Sequence, residues 1–125
     1  MAEEESVRYT ENHDWVRKEG HEVTIGITDH AQNELGDIVF VELPDIGDEF
    51  KKEEEMVVIE SVKSVSDVEA PVDGTIEEVN ESLEGEPEKI NESPTEDGWL
   101  VKIDMKDEDQ FGSLLDSSEY DELLD

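Results

Sequence analysis

Cysteine is absent from the 125 residues, which excludes a disulfide framework and any thiolate chemistry supplied by the chain itself. Basic residues are scarce: 9 Lys plus Arg stand against 39 Asp plus Glu, a net charge of −30. So acidic a surface repels phosphate, and neither nucleic acid nor an anionic membrane is expected as a partner. Long hydrophobic runs are missing as well. No apolar stretch approaches the roughly 18 residues of a membrane span. The opening MAEEESVRYT lacks the apolar stretch and basic flank of a secretion signal, so a cytoplasmic protein is expected. No catalytic residue and no metal site is expected from the residues present.

The acid is spread along the whole chain. A chaperone for basic proteins would more typically carry it in a tail block. Dispersed acid with few lysines fits a cytoplasm at molar salt, where the Debye length falls to about 3 Å and self-repulsion is screened. The composition therefore points to an extreme halophile.

Only 34% of residues are hydrophobic, but they are clustered. VTIGI (23–27), IVFVELP (38–44), MVVIE (56–60) and WLVKI (99–103) are β-branched runs bounded by Gly, Pro and acidic turns. One mainly β domain over 1–125 follows, with a core over about 7–104 and a helical segment over 108–124. Strands are expected near 7–9, 14–18, 22–27, 38–43, 56–62, 65–69, 75–80 and 99–104. TDHAQNELG reads as a helix over 28–35, capped by Thr28 or Asp29 and ended by Gly36. From Gln110 to Leu124, Phe111, Leu114, Leu115, Tyr120, Leu123 and Leu124 fit one or two short amphipathic helices packed on the sheet. Trp15 and Trp99 are expected to pack in the core or at its edge.

A weak repeat relates GDIVFVELPDIGD (36–48) to GTIEEVNESLEGE (74–86), aligning Gly36 with Gly74, Ile38 with Ile76, Val41 with Val79 and Gly47 with Gly85. A pseudo-two-fold repeat about a central hairpin would set that hairpin at one end of a flattened two-sheet barrel. Between the copies lies ESVKSVSD (60–67), nearly a mirror of itself. Glu60 faces Asp67, Ser61 faces Ser66 and Val62 faces Val65, which leaves a Lys63–Ser64 turn at the centre. Lys63, one of only seven lysines, would then sit at a rigid tip with its amine in water. Glu60 and Asp67 favour the charged amine, so base or Schiff-base chemistry is not expected of it. A rigid exposed tip suits recognition by an enzyme that acylates the amine.

ESVKSVSD resembles the lipoyl-attachment hairpin, and more narrowly that of glycine cleavage system H proteins. YTENHDWV (9–16), VTIGITDHAQNELGDIVFVELPDIGD (23–48), APVDGTIEEVN (70–80), INESP (90–94), DGWLVKI (97–103) and LLDSSEYDELL (114–124) follow that family's order. The resemblance covers residues 7 to 124. It departs at Asp14, where the family usually has Glu, and at Thr95, where Tyr often stands. Val62 and Ser64 beside the lysine separate the chain from biotin carriers, whose lysine typically sits between methionines.

The resemblance implies a lipoyl-type barrel-sandwich hybrid and a non-catalytic carrier, with (R)-lipoate in amide linkage to Lys63. Glu60, Ser61, Val62, Ser64, Val65 and Asp67 would form the surface that the lipoylating enzyme reads. A cleft sheltering the loaded arm would draw on His13, Asp14 and Glu34. Implied partners are a pyridoxal-phosphate glycine decarboxylase, a tetrahydrofolate aminomethyltransferase, a flavin (FAD) dihydrolipoamide dehydrogenase, and a lipoyl or octanoyl transferase or lipoate ligase. The carrier itself would be a monomer. Two alternatives stand beside this one: a relay that donates lipoate to 2-oxoacid dehydrogenases, and an unlipoylated acidic interaction protein of the same fold.

Overall fold

The computed structural model describes residues 7–124. The opening MAEEES, read above for a secretion signal, lies outside the described residues, as does Asp125.

Among the described residues, nine strands form two antiparallel sheets. The larger runs in the order β1 (Val7–Tyr9), β2 (Asp14–Glu19), β3 (Glu22–Ile27), β9 (Val101–Met105), β8 (Gly74–Val79), β5 (Glu49–Phe50). The smaller runs β4 (Ile38–Glu42), β6 (Glu55–Ser61), β7 (Val65–Glu69). The two-sheet, mainly β expectation is met, but the sheets do not join edge to edge, so the flattened barrel is open. One apolar cluster draws on both: Val16, Val23, Ile25, Ile76 and Ile103 come from the larger sheet, and Val41, Val57, Ile59 and Val68 from the smaller. Burying so many branched side chains between two sheets is the main driving force available to a chain with this charge.

β3 occupies the middle of the larger sheet, and every residue from Val23 to Ile27 is buried. Trp15 pairs across β2 and β3 with Gly26, and its indole fills the space a side chain there would need. Its Nε1 donates to the Pro94 carbonyl at 3.0 Å, so Trp15 is a core residue as expected. Trp99 is half-buried, with the Lys102 ammonium 5.4 Å from its ring.

The repeat has a structural counterpart. β4 and β8, one in each sheet, each break register at the equivalent place, between Ile38 and Phe40 and between Ile76 and Glu78. Ile38 and Ile76 are both buried.

Several expectations need correction. β5 is too short for an alternation pattern, and its two residues are strand only because Glu49 and Phe50 pair with Thr75 and Gly74. Two single-turn helices, α2 (Ser82–Gly85) and α3 (Lys89–Glu92), follow β8. β9 starts at Val101, the first residue paired with both Ile25 and Val79, while Trp99 spends its N–H on the Glu96 carbonyl of the preceding turn. The tail forms α4 (Asp109–Gly112) and α5 (Ser117–Leu124), separated by a bridge between Tyr9 and Leu115. Phe111, Leu114 and Tyr120 are buried, but Leu123 and Leu124 are exposed, so the last turn does not pack on the sheet.

Candidate functional site

The β6–β7 hairpin is centred differently from the mirror in its sequence. Glu60 pairs with Val65 and Ile59 with Ser66, and the Ser61 N–H donates to the Ser64 carbonyl at 2.8 Å. The turn is therefore Val62–Lys63, flanked by Ser61 and Ser64. Lys63–Ser64 is not the turn pair, Glu60 does not oppose Asp67, and Val62 does not oppose Val65. The cause is the Ser61 hydroxyl, which accepts the N–H groups of Lys63 and Ser64, each at 3.1 Å. This side-chain cap closes the turn, and neither turn residue adopts a positive φ. Val62 and Val65 are left in solvent.

The tip is tied down from outside. The Val62 N–H donates to the Asp37 carbonyl at 3.0 Å, joining the turn to the segment between α1 (Asp29–Leu35) and β4. Asn91 of α3 holds that segment: its Oδ1 accepts the Ile38 N–H at 2.9 Å, and its Nδ2 donates to the Gly36 carbonyl at 2.9 Å. Gly36 itself has φ +81°, and a Cβ there would come within 2.9 Å of the Lys63 Cε. The Lys63 stem thus lies across the bare backbone that ends α1, although the residue remains exposed. Among the described residues Lys63 joins no ion pair.

Beside the hairpin is a cleft of about 330 Å³, and His13, Asp14 and Glu34 all line it, together with Ser64, Ser66 and Asp67. Ile27, Ala31, Leu35, Ile59 and Val68 supply its apolar wall. α1 starts here because the Thr28 hydroxyl caps it, accepting the Ala31 N–H at 3.2 Å. The same hydroxyl donates to the His13 carbonyl at 3.0 Å and so ties the helix start to the cleft.

His13 takes a left-handed φ of 70° and is held from behind by α5, whose Tyr120 hydroxyl lies 2.8 Å from its Nδ1 and 2.9 Å from the Thr28 hydroxyl. Burial, and then the neighbouring His30 ring, push the His13 pKa down against the pull of Glu34. Asp14 is only 3% exposed and accepts a hydrogen bond from the Thr10 hydroxyl at 3.2 Å. Burial drives its pKa up to about 7, with the Glu69 charge adding to the rise and the Thr10 bond opposing it. Glu34 is exposed, 3.8 Å from His30 on the next turn of α1. The three candidates therefore share one cleft but differ in kind: a neutral imidazole, a buried acid that titrates near neutrality, and a solvated carboxylate.

Gly36, Asn91, Thr28 and Tyr120 escaped the sequence reading as site residues. Gly36 appeared as a helix stop and a repeat position and Thr28 as a helix cap, while the contacts of Thr28 with Tyr120 and of Asn91 with Gly36 join residues far apart in the chain.

Residues 7–125 match the family model described as "Glycine cleavage H-protein". A glycine cleavage system H protein of Staphylococcus carnosus is 50% identical over 124 residues, 99% of this chain and 98% of that protein. One from Halalkalibacterium halodurans is 50% identical over 118 residues, 94% and 92% of the two chains. The crystal structure of a glycine cleavage system H protein from Mycobacterium marinum superposes with a TM-score of 0.84 at 37% identity, covering 92% of this chain and 93% of that one. The chain belongs to the glycine cleavage H-protein family, the non-catalytic carriers that hold a lipoate covalently on a lysine.

Proposed function

We propose that Lys63 is the lipoyl-bearing lysine, and that the cleft lined by His13, Asp14 and Glu34 shelters the arm it carries. The observation that supports this most is the Gly36 cradle: the Lys63 stem rests where any side chain at 36 would collide, and the neighbours Leu35 and Ser64 line the cleft that contains all three candidates. The residues fit the group. The apolar wall suits an eight-carbon chain, and the carboxylates of Glu34 and Asp67 suit a cationic amine at its end. When bound, lipoate supplies a reducible disulfide on a long tether. The chain's own residues fix the root of that tether, through Ser61, Asp37 and Asn91, and exclude water along part of its length.

The partners that fit are the glycine decarboxylase, aminomethyltransferase and dihydrolipoamide dehydrogenase of the glycine cleavage system, and the enzyme that acylates Lys63. The carrier works as a single-domain monomer in the cytoplasm. In support, one core cluster serves both sheets, and among the described residues no helix is long and apolar enough to cross a membrane. The net charge of −30 supports a working environment of high salt.

Lys63→Arg tests the assignment. Arg keeps the charge on an exposed position but is not acylated, so the fold should persist while glycine-dependent turnover with the reconstituted partners is abolished. Residual turnover by the Arg variant, with wild-type protein lipoylated in parallel, would remove Lys63 from this role.

A further inference from the structure

Among the described residues, seven large apolar side chains are exposed, and four of them cluster at the hairpin end of the smaller sheet: Val39, Phe40, Val62 and Val65. Val39 and Phe40 owe their exposure to the break of register in β4. Ile38 pairs with Ser61 and Phe40 with Glu60, so Val39 is the extra residue of a bulge. The alternation is interrupted there. Between buried Ile38 and buried Val41, two successive side chains stand in solvent, at 52% and 48% exposure.

The internal repeat shows that this is not a demand of the fold. β8 carries the equivalent bulge, and the residues aligned with Val39 and Phe40 are Glu77 and Glu78, both exposed. The same local geometry is thus occupied once by two acids, as expected in a chain with 39 of them, and once by a valine and a phenylalanine. Apolar surface kept beside the lysine hairpin, where acid is the rule elsewhere, marks a contact surface.

We infer that Val39 and Phe40, with Val62 and Val65, form an apolar ledge on which the enzyme that acylates Lys63 seats itself, which rests on the assignment of Lys63 above. The ledge is continuous with the reacting amine: Phe40, Glu60 and Val65 are neighbours in one row across the three strands, and Val62 precedes Lys63 in the turn. Glu60, Asp37 and Asp67 border it, so the matching surface is an apolar pocket with a basic rim. A second copy of this chain is a poor occupant, because two molecules of charge −30 repel. In the reaction so positioned, the uncharged Lys63 Nζ attacks the carbonyl carbon of an acyl-adenylate. An amide C–N bond forms, the C–O bond to the adenylate breaks, AMP leaves, and one amine proton passes to solvent.

The test is the rate of acylation of full-length protein by a lipoate ligase with ATP and lipoate, read as mass gain on the intact chain. The paired variant Val39→Glu with Phe40→Glu copies the β8 sequence onto β4. It should remain folded at the assay temperature and lose at least about tenfold in kcat/KM. Phe40→Leu should stay near wild type, and Ile46→Glu, which adds the same charge at an exposed apolar residue outside the smaller sheet, should not change the rate. Acylation of the paired variant at the wild-type rate would overturn the inference. So would normal acylation combined with impaired glycine-dependent turnover, because the ledge would then serve a different partner. Wild-type protein that gains no mass at Lys63 would instead show that the assignment of the lysine had failed first.

Discussion

At the scale of single residues, Asp14 departs furthest from ordinary behaviour. Its carboxyl is buried and pushed up to about 7 from a reference of 3.8, because desolvation outweighs the one hydrogen bond from Thr10. The folded state therefore holds this proton more tightly than the unfolded chain. The stability it confers is intact below pH 4 or so, and is lost as pH rises through about 7. A shift of that size corresponds to at most about 4 kcal/mol. Asp14→Asn removes the titration while keeping an oxygen for the Thr10 hydroxyl. Urea unfolding of both proteins should show the variant gaining on wild type by about 2–4 kcal/mol between mildly acid and mildly alkaline pH. A constant difference across that range would mean that Asp14 titrates as an exposed acid. The sequence offered Asp14 only as a candidate for the cleft, through the family resemblance. Its burial was not legible there, since that depends on pairing with Ile27 of β3 and on the fold bringing Glu69 close to it.

At the scale of elements, the hairpin shows where reading a sequence succeeds and where it slips. The β-branched run MVVIE and the hairpin pattern after it located both strands, and the spans of β1, β2, β3, β6, β7 and α1 came within about two residues of their expected ends. The mirror in ESVKSVSD misled, because pairing register follows backbone hydrogen bonds, and the Ser61 side chain moved the turn to Val62–Lys63. Ser61→Ala should therefore cost more than an exposed serine usually does. Two turn N–H groups lose their acceptor, and about 1 kcal/mol of stability should be lost. Acylation should slow as the tip loosens, measurable alongside chemical denaturation. An Ala variant unchanged in both would show that the hydroxyl does not set the turn. α2 and α3 were invisible for a related reason: their first residues follow Glu81 and Glu88, neither of which caps with its side chain, so no start signal is present. The repeat was legible as four matched positions, and its paired bulges emerged only from the strand register.

At the scale of the molecule, charge dominates. Ion pairs such as Lys89 with Glu86 and Lys106 with Glu49 lie at the surface and offset little of a net −30. At about 10 mM ionic strength the Debye length is roughly 30 Å, so carboxylates across the domain repel one another; at about 1 M it is roughly 3 Å, and only near neighbours do. The melting temperature should therefore climb steeply with KCl towards molar concentrations. A flat profile from about 0.05 to about 2 M KCl would show that self-repulsion does not limit this fold, and high salt as its working environment would lose its support.

The central claim is that this fold presents one particular lysine for lipoylation. Peptide mass mapping of the protein isolated from its native host tests it most directly. The account predicts a lipoyl group on the peptide containing Lys63 and on none of the other six lysines. A lipoyl group on a different lysine, or an unmodified Lys63 in protein that supports glycine-dependent turnover, would contradict it.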